Sequence, residues 1–154
     1  MIEGLLRIPL AIHVDERGWF CELRRDSVLP ARMLQTNVSF SRAGVVRGLH
    51  YHERGQDDLF ACLRGTARVV VLDRSSGETY VEDIGDENPV ALYIPGRHAH
   101  GFEALTDVLF CYHVSAEYDP TDPDEHTIPW NDPRVAHLWS TSTPILSARD
   151  AAAS

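Results

Sequence analysis

Turn chemistry interrupts this chain too often to leave room for long helices. Arg64-Gly65, Arg74-Ser75-Ser76-Gly77, Asp86-Glu87-Asn88-Pro89 and Pro95-Gly96 each combine residues suited to tight turns. Between such breaks stand short alternating or apolar runs: Gly18 to Leu23, Leu34 to Ser41, Val45 to Tyr51, Leu59 to Leu63, Ala67 to Asp73, Thr79 to Ile84, Val90 to Ile94 and Val108 to Val114. Runs of that length and composition are strands. Ala67 to Leu72 is apolar at nearly every position, which places it inside a sheet. Only Asp26 to Met33 and the C-terminal tail suit short helices. Many short strands with little helix predict an all-β sandwich or small barrel with short peripheral helices.

A length of 154 residues fits one domain spanning residues 1–154, with no internal repeat or low-complexity linker. After Tyr118 the chain turns polar and proline-rich through Asp119 to Glu125. Trp130 and Trp139 follow, and they are expected to fold this segment back over the barrel. With 14 basic against 23 acidic residues the formal charge is −9, which argues against nucleic acid as a partner. All the basic side chains besides histidine are arginine. The absence of lysine removes any mechanism built on a lysine Schiff base or a phosphate-loop lysine. Cys21, Cys62 and Cys111 lack Cys-x-x-Cys spacing and are expected as structural thiols. No stretch is long and apolar enough for a membrane span, and Met1 to Pro9 is too short and acidic for a signal peptide, so a cytoplasmic location is expected.

Histidine placement carries the chemistry. His50/His52 and His98/His100 each stand two residues apart, and on a strand such a pair shares one face, aiming both imidazoles into a barrel mouth. Hydrogen-bonded histidines of a core are the ordinary alternative. Gly44 to Tyr51, Pro95 through Ala99-His100-Gly101-Phe102, and Trp130-Asn131-Asp132 resemble signatures of the nucleotide-diphospho-4-keto-6-deoxysugar epimerases, typified by dTDP-4-dehydrorhamnose 3,5-epimerase. Asp15 to Glu22 and Gln35 to Ser39 resemble two more family segments, in the same order. The resemblance implies a cupin-type jelly-roll β-barrel, a homodimer, a nucleotide-sugar substrate, no cofactor, and a place in deoxysugar (rhamnose-like) biosynthesis.

Epimerisation beside a ketone needs a base, stabilisation of the enolate oxygen, and an acid that protonates the opposite face. By resemblance, His50 is the base, Asp132 the carboxylate that orients it, and Tyr112 the acid, protonated near neutrality with an ordinary pKa of about 10. Arg47 resembles the diphosphate-binding arginine, whose planar fork suits that task. Arg17, Glu22, Gln35 and Asn37 match nucleotide- and sugar-binding positions, the first two reaching across the dimer in relatives, and His100 matches a histidine lining the sugar site. Inversion at C3, C5 or both is left open, with a lean to both, and thymidine as the base follows from the family alone.

Two positions depart from the family. Relatives carry a lysine where this chain has Asp57-Asp58, and usually a glutamine where it has His52. An alternative reading joins the departures: His50, His52, Asp58 and His100 as a three-histidine, one-carboxylate site for a divalent transition metal that polarises a ketone. A third reading is a sugar-nucleotide binding protein without catalysis. Retention of Asp132 and Tyr112 favours the metal-free epimerase.

Overall fold

The computed structural model describes residues 1–154. Its strands are β1 (Leu6–Pro9), β2 (His13–Asp15), β3 (Gly18–Phe20), β4 (Gln35–Ser41), β5 (Val46–Tyr51), β6 (Asp58–Arg64), β7 (Thr66–Leu72), β8 (Thr79–Gly85), β9 (Val90–Ile94), β10 (Ala99–Ala104), β11 (Val108–Val114) and β12 (His126–Thr127). Short 3₁₀ turns occupy Asp26–Val28 and Ala136–Leu138, and one helix, α1, spans Ala148–Ala153. Two five-stranded antiparallel sheets form, in the orders β1-β9-β6-β11-β4 and β12-β5-β10-β7-β8, with β2-β3 as a separate hairpin.

The sheets are packed by the side chains that alternation turns inward. Phe60, Leu92 and Phe110 of the first sheet share one core with Val69, Val71, Ile84 and Phe102 of the second. Phe102 and Phe110 stack across it at 3.9 Å between ring centres. Removing either ring is expected to cost about 3–5 kcal/mol. The opposite face of β7 is covered as well: Val70 and Leu72 pack with Leu49, Val135 and Trp139. That double coverage is the reason Ala67 to Leu72 reads as a continuous apolar run, and Trp139 indeed folds back, its indole N–H donating to the Trp130 carbonyl at 2.8 Å.

Each run read as a strand contains one, with ends shifted by a few residues at most. Four strands lie outside that reading. The most instructive is β10, which sits mid-sheet and is buried at all six positions although His100, Gly101 and Glu103 break its apolar pattern. Glu103 is satisfied there by the backbone N–H (2.7 Å) and hydroxyl of Ser140. Gly48 and Gly101 face each other where β5 meets β10: a Cβ on Gly101 would lie 2.3 Å from the Arg47 carbonyl oxygen. This close approach seats the histidine-bearing ends of both strands side by side, with His50 opposite His100 in register.

Candidate active site

A cavity of about 390 Å³ opens between the sheets beside β5 and is closed on one side by the C-terminal segment. That segment is stitched along β5: Val46 N–H donates to the Ile145 carbonyl at 3.1 Å, and Ile145 N–H to the Gly44 carbonyl at 2.9 Å. Ser147 then caps α1, its hydroxyl accepting the Asp150 N–H at 3.1 Å. The cap fixes the first turn of a helix too short to hold itself, and so fixes Asp150 beneath β5.

His50 projects into the cavity with Nε2 at 2.8 Å from Asp150 Oδ1, while Asp150 Oδ2 accepts the Gly48 N–H at 3.2 Å. Asp150 is only 3% exposed. Burial works against its charge, but the His50 imidazole, the Gly48 N–H and Arg149 outweigh that and hold its carboxyl below the usual range. Arg149 also approaches His50 Nε2, at 2.8 Å, and pairs with Glu125, whose other oxygen lies 3.7 Å from His50 Nδ1. Only one of Asp150 and Arg149 can share a hydrogen bond with Nε2 in a given state: the carboxylate when that nitrogen is protonated, the guanidinium when it is bare.

The carboxylate partner of His50 is therefore Asp150, which corrects the assignment to Asp132. Asp132 instead accepts from the Arg134 backbone at 3.0 Å and from its guanidinium at 2.9 and 2.8 Å, which pushes its pKa down to about 2. It caps its own loop, and the cavity is lined without it. The Trp-Asn-Asp motif pointed to it because an aspartate in a distinctive sequence setting stands out, whereas Asp150 sits in a plain alanine-rich tail. The one local signal for Asp150 is Ser147 three residues before it, the mark of a helix start.

Tyr112, on β11, lines the same cavity and is half-buried against the edge of Phe60. Burial is the main cause that raises its pKa, so the phenol keeps its proton. Arg47 lines the cavity too, its Nε donating to Ser41 Oγ at 2.9 Å. A second lobe of about 540 Å³ shares His52, Gln56, Tyr112 and Glu125 with the first and adds Gln35 and Asn37, whose side chains are joined at 2.9 Å. Arg17 and Glu22 stand apart from both lobes, exposed and paired with Asp15 and Arg25.

The two histidine pairs behave differently. His50 and His52 both line the cavity, but of the second pair only His100 does. His98 precedes β10, and its Nε2 donates to the Glu3 carbonyl at 2.9 Å, so strand alternation does not apply to that pair. His52, Asp58 and His100 form a buried trio whose ligating atoms all lie within 4.8 Å of one another. The four-residue metal set is corrected accordingly: His50 is engaged by Asp150 and is not in the group. Burial opposes the Asp58 charge, but the two imidazoles and the Gln56 amide outweigh it and lower its pKa. Burial likewise disfavours a charged His100, yet the facing Asp58 wins and raises it, whereas burial and the nearby His100 lower His52.

This cavity lies in a chain that the family model described as dTDP-4-dehydrorhamnose 3,5-epimerase matches over residues 1–154. The chain belongs to that family. The chain is 40% identical to the spore coat polysaccharide biosynthesis protein SpsL of Bacillus subtilis, over 92% of this chain and 98% of that one. It is 36% identical to the dTDP-4-dehydrorhamnose 3-epimerase of Streptomyces niveus, over 97% and 78% of the two chains. Among solved structures, the Mycobacterium tuberculosis rmlC epimerase superposes with a TM-score of 0.89 at 36% identity, covering 99% of this chain and 84% of that one. The fold is thus the cupin-type fold that the family resemblance implied, and the family is one of isomerases acting in deoxysugar biosynthesis. No helix of the chain is long and apolar enough to cross a membrane.

Proposed function

We propose that the protein epimerises a dTDP-4-keto-6-deoxyhexose by a proton transfer in which His50 is the base, Asp150 its orienting carboxylate and Tyr112 the acid. The observation that carries this reading is the 2.8 Å His50–Asp150 contact in a cavity that Tyr112 also lines. His50 removes the proton from the carbon beside the C4 ketone, leaving an enolate and an imidazolium stabilised by Asp150. Tyr112 gives its phenolic proton to the opposite face of that carbon, which restores the ketone with inverted configuration. The resulting phenolate and imidazolium return to their starting states by proton exchange with solvent. Carbon acid chemistry of this kind consumes no redox equivalent.

Arg47 offers the guanidinium for the diphosphate, with Gln35 and Asn37 in the adjoining lobe for the nucleotide and His100 beside the sugar. Relatives supply both regiochemical precedents: one structure is described as a 3'-monoepimerase in complex with dTDP-quinovose and another as a 3,5-epimerase in complex with dTDP-4-keto-L-rhamnose. Inversion at both carbons is the reading adopted. The test is to follow deuterium entry at C3 and C5 by NMR after adding protein to dTDP-4-keto-6-deoxyglucose in D₂O. Exchange at both carbons is expected. Binding of the nucleotide sugar with no exchange at either carbon would identify a binding protein instead.

The protein is further proposed to act as a homodimer. β4 is an open sheet edge, and Val38 and Phe40 on it are each 59% exposed, with Leu109 on the neighbouring strand facing the same side as Phe40. Trp19 and Phe20 of the β2-β3 hairpin are also exposed, and Arg17 and Glu22 flank β3 in the chain. A second copy covering these surfaces explains why Arg17 and Glu22 lie outside their own cavity. Sedimentation is expected to give a dimer, and Phe40→Glu to shift it toward monomer.

A further inference from the structure

We propose that His52, Asp58 and His100 form a mononuclear centre for a divalent transition metal at the floor of the cavity. The donors are placed as ligands and poorly placed as mutual hydrogen-bond partners. His52 Nε2 lies 3.7 Å from Asp58 Oδ1, and His100 Nε2 lies 3.4 Å from Asp58 Oδ2. Charge-assisted hydrogen bonds close to about 2.7–2.9 Å, so these gaps are wide. Metal–ligand bonds of about 2.0–2.1 Å set donors about 3.3 Å apart around a tetrahedral ion, near the two histidine–carboxylate gaps, and one ligating atom from each of the three residues falls within 4.8 Å of the others.

The tautomers point the same way. His52 Nδ1 faces the Asp124 carbonyl and His100 Nδ1 faces the His98 carbonyl at 2.9 Å. A carbonyl oxygen only accepts, so both rings carry their hydrogen on Nδ1 and turn Nε2 inward. Backbone partners of this kind orient imidazoles that ligate through the other nitrogen. Both Nε2 atoms and a carboxylate then converge in a site where the side chains of His52, Asp58 and His100 are 6%, 6% and 2% exposed. The only neutral donor reaching in is the Gln56 amide, at 3.1 Å from both His52 Nε2 and Asp58 Oδ1. A set this rich in acceptors favours a cation, and the chain has no lysine to supply one.

Two imidazoles and one carboxylate suit Zn²⁺, Fe²⁺, Co²⁺ or Mn²⁺ and leave further coordination positions. All three residues line the cavity, so those positions face the space that the substrate would fill. There the cation supplies the positive charge that polarises a ketone oxygen. Metal binding stands without the epimerase reading; only this role rests on it.

The test uses untagged full-length protein, stripped with a chelator, loaded in turn with each of the four ions under nitrogen, and freed of excess by gel filtration. Wild type is expected to retain about one equivalent per chain of at least one ion. Co²⁺ is expected to show visible absorption bands of a nitrogen- and oxygen-ligated centre. His50→Ala and His126→Ala are expected to retain the same amount, while Asp58→Asn and the milder His52→Gln fall about tenfold or more. Retention below about a tenth of an equivalent by wild type for every ion overturns the proposal, as does equal retention by Asp58→Asn. Because no substrate is present, failure here leaves the epimerase reading untouched. Deuterium exchange that is equally fast in stripped and loaded protein refutes the role at the ketone.

Discussion

Two histidine–carboxylate clusters share one cavity and are built on opposite principles. His50 and Asp150 meet at 2.8 Å, with the carboxylate held from a segment a hundred residues away. The imidazoles of His52 and His100 stand 3.7 and 3.4 Å from the Asp58 carboxylate, with a hydrogen of each ring turned outward to a carbonyl. The first is a closed hydrogen-bonded pair in which a proton gained by the ring is met at once by a buried charge. The second is an open, acceptor-rich set that suits a positive charge between its members. Contact distance and tautomer, more than residue type, separate a proton-transfer device from a cation receptor.

The largest expected effect falls on the closed pair. His50→Ala is expected to slow deuterium exchange by about 10²–10⁴-fold. Asp150→Asn should be nearly as damaging, since it fixes the wrong tautomer in an otherwise intact site. If Asp150→Asn exchanges at the wild-type rate, the pair is structural and the comparison collapses. Tyr112→Phe separates the two halves of the reaction: washout of the substrate proton persists, while the inverted product forms about 10²–10⁴-fold more slowly. Loss of washout as well would place Tyr112 in the first step.

The double substitution His52→Gln/Asp58→Lys converts the open set into a lysine-bearing one. Metal retention is expected to vanish, and exchange, measured with and without chelator, to become indifferent to metal. The smallest effect belongs to Asp132→Asn. Exchange should be unchanged, and stability at pH 7 should fall by no more than about 1 kcal/mol, the usual worth of a surface ion pair. The Asp132 carboxyl has a lowered folded-state pKa, so its contribution is present above the unfolded value of about 3.9. It is lost as pH falls through about 2. Urea titrations of wild type and Asp132→Asn are therefore expected to differ at pH 7 and to converge near pH 2.

Legibility along the chain followed the physics of each signal. The strands from Gln35–Ser41 to Val108–Val114 were readable where alternation or continuous apolarity meets a turn, and β10 was not, because its interior position tolerates His100 and Glu103 only through partners elsewhere in the fold. Arg47, His50, His100 and Tyr112, which stand in or near the motifs, line one cavity. Asp150 was not legible as a site residue, since a carboxylate in an alanine-rich tail carries no local mark beyond the serine that caps its helix. Gln56 and Glu125 were missed for the same reason: each acts through a neighbour that only folding supplies.

The sequence by itself determined that the chain is built from short strands and that lysine chemistry is unavailable, and it marked the histidines at 50, 52, 98 and 100 as candidates, because period, composition and motif are local properties. Tertiary structure alone decided which carboxylate each histidine meets. That choice depends on where the C-terminal segment docks along β5 and how far apart β6 holds Asp58 from the imidazoles, and distances of a few tenths of an ångström between residues remote in the chain are fixed by packing, which no local pattern encodes.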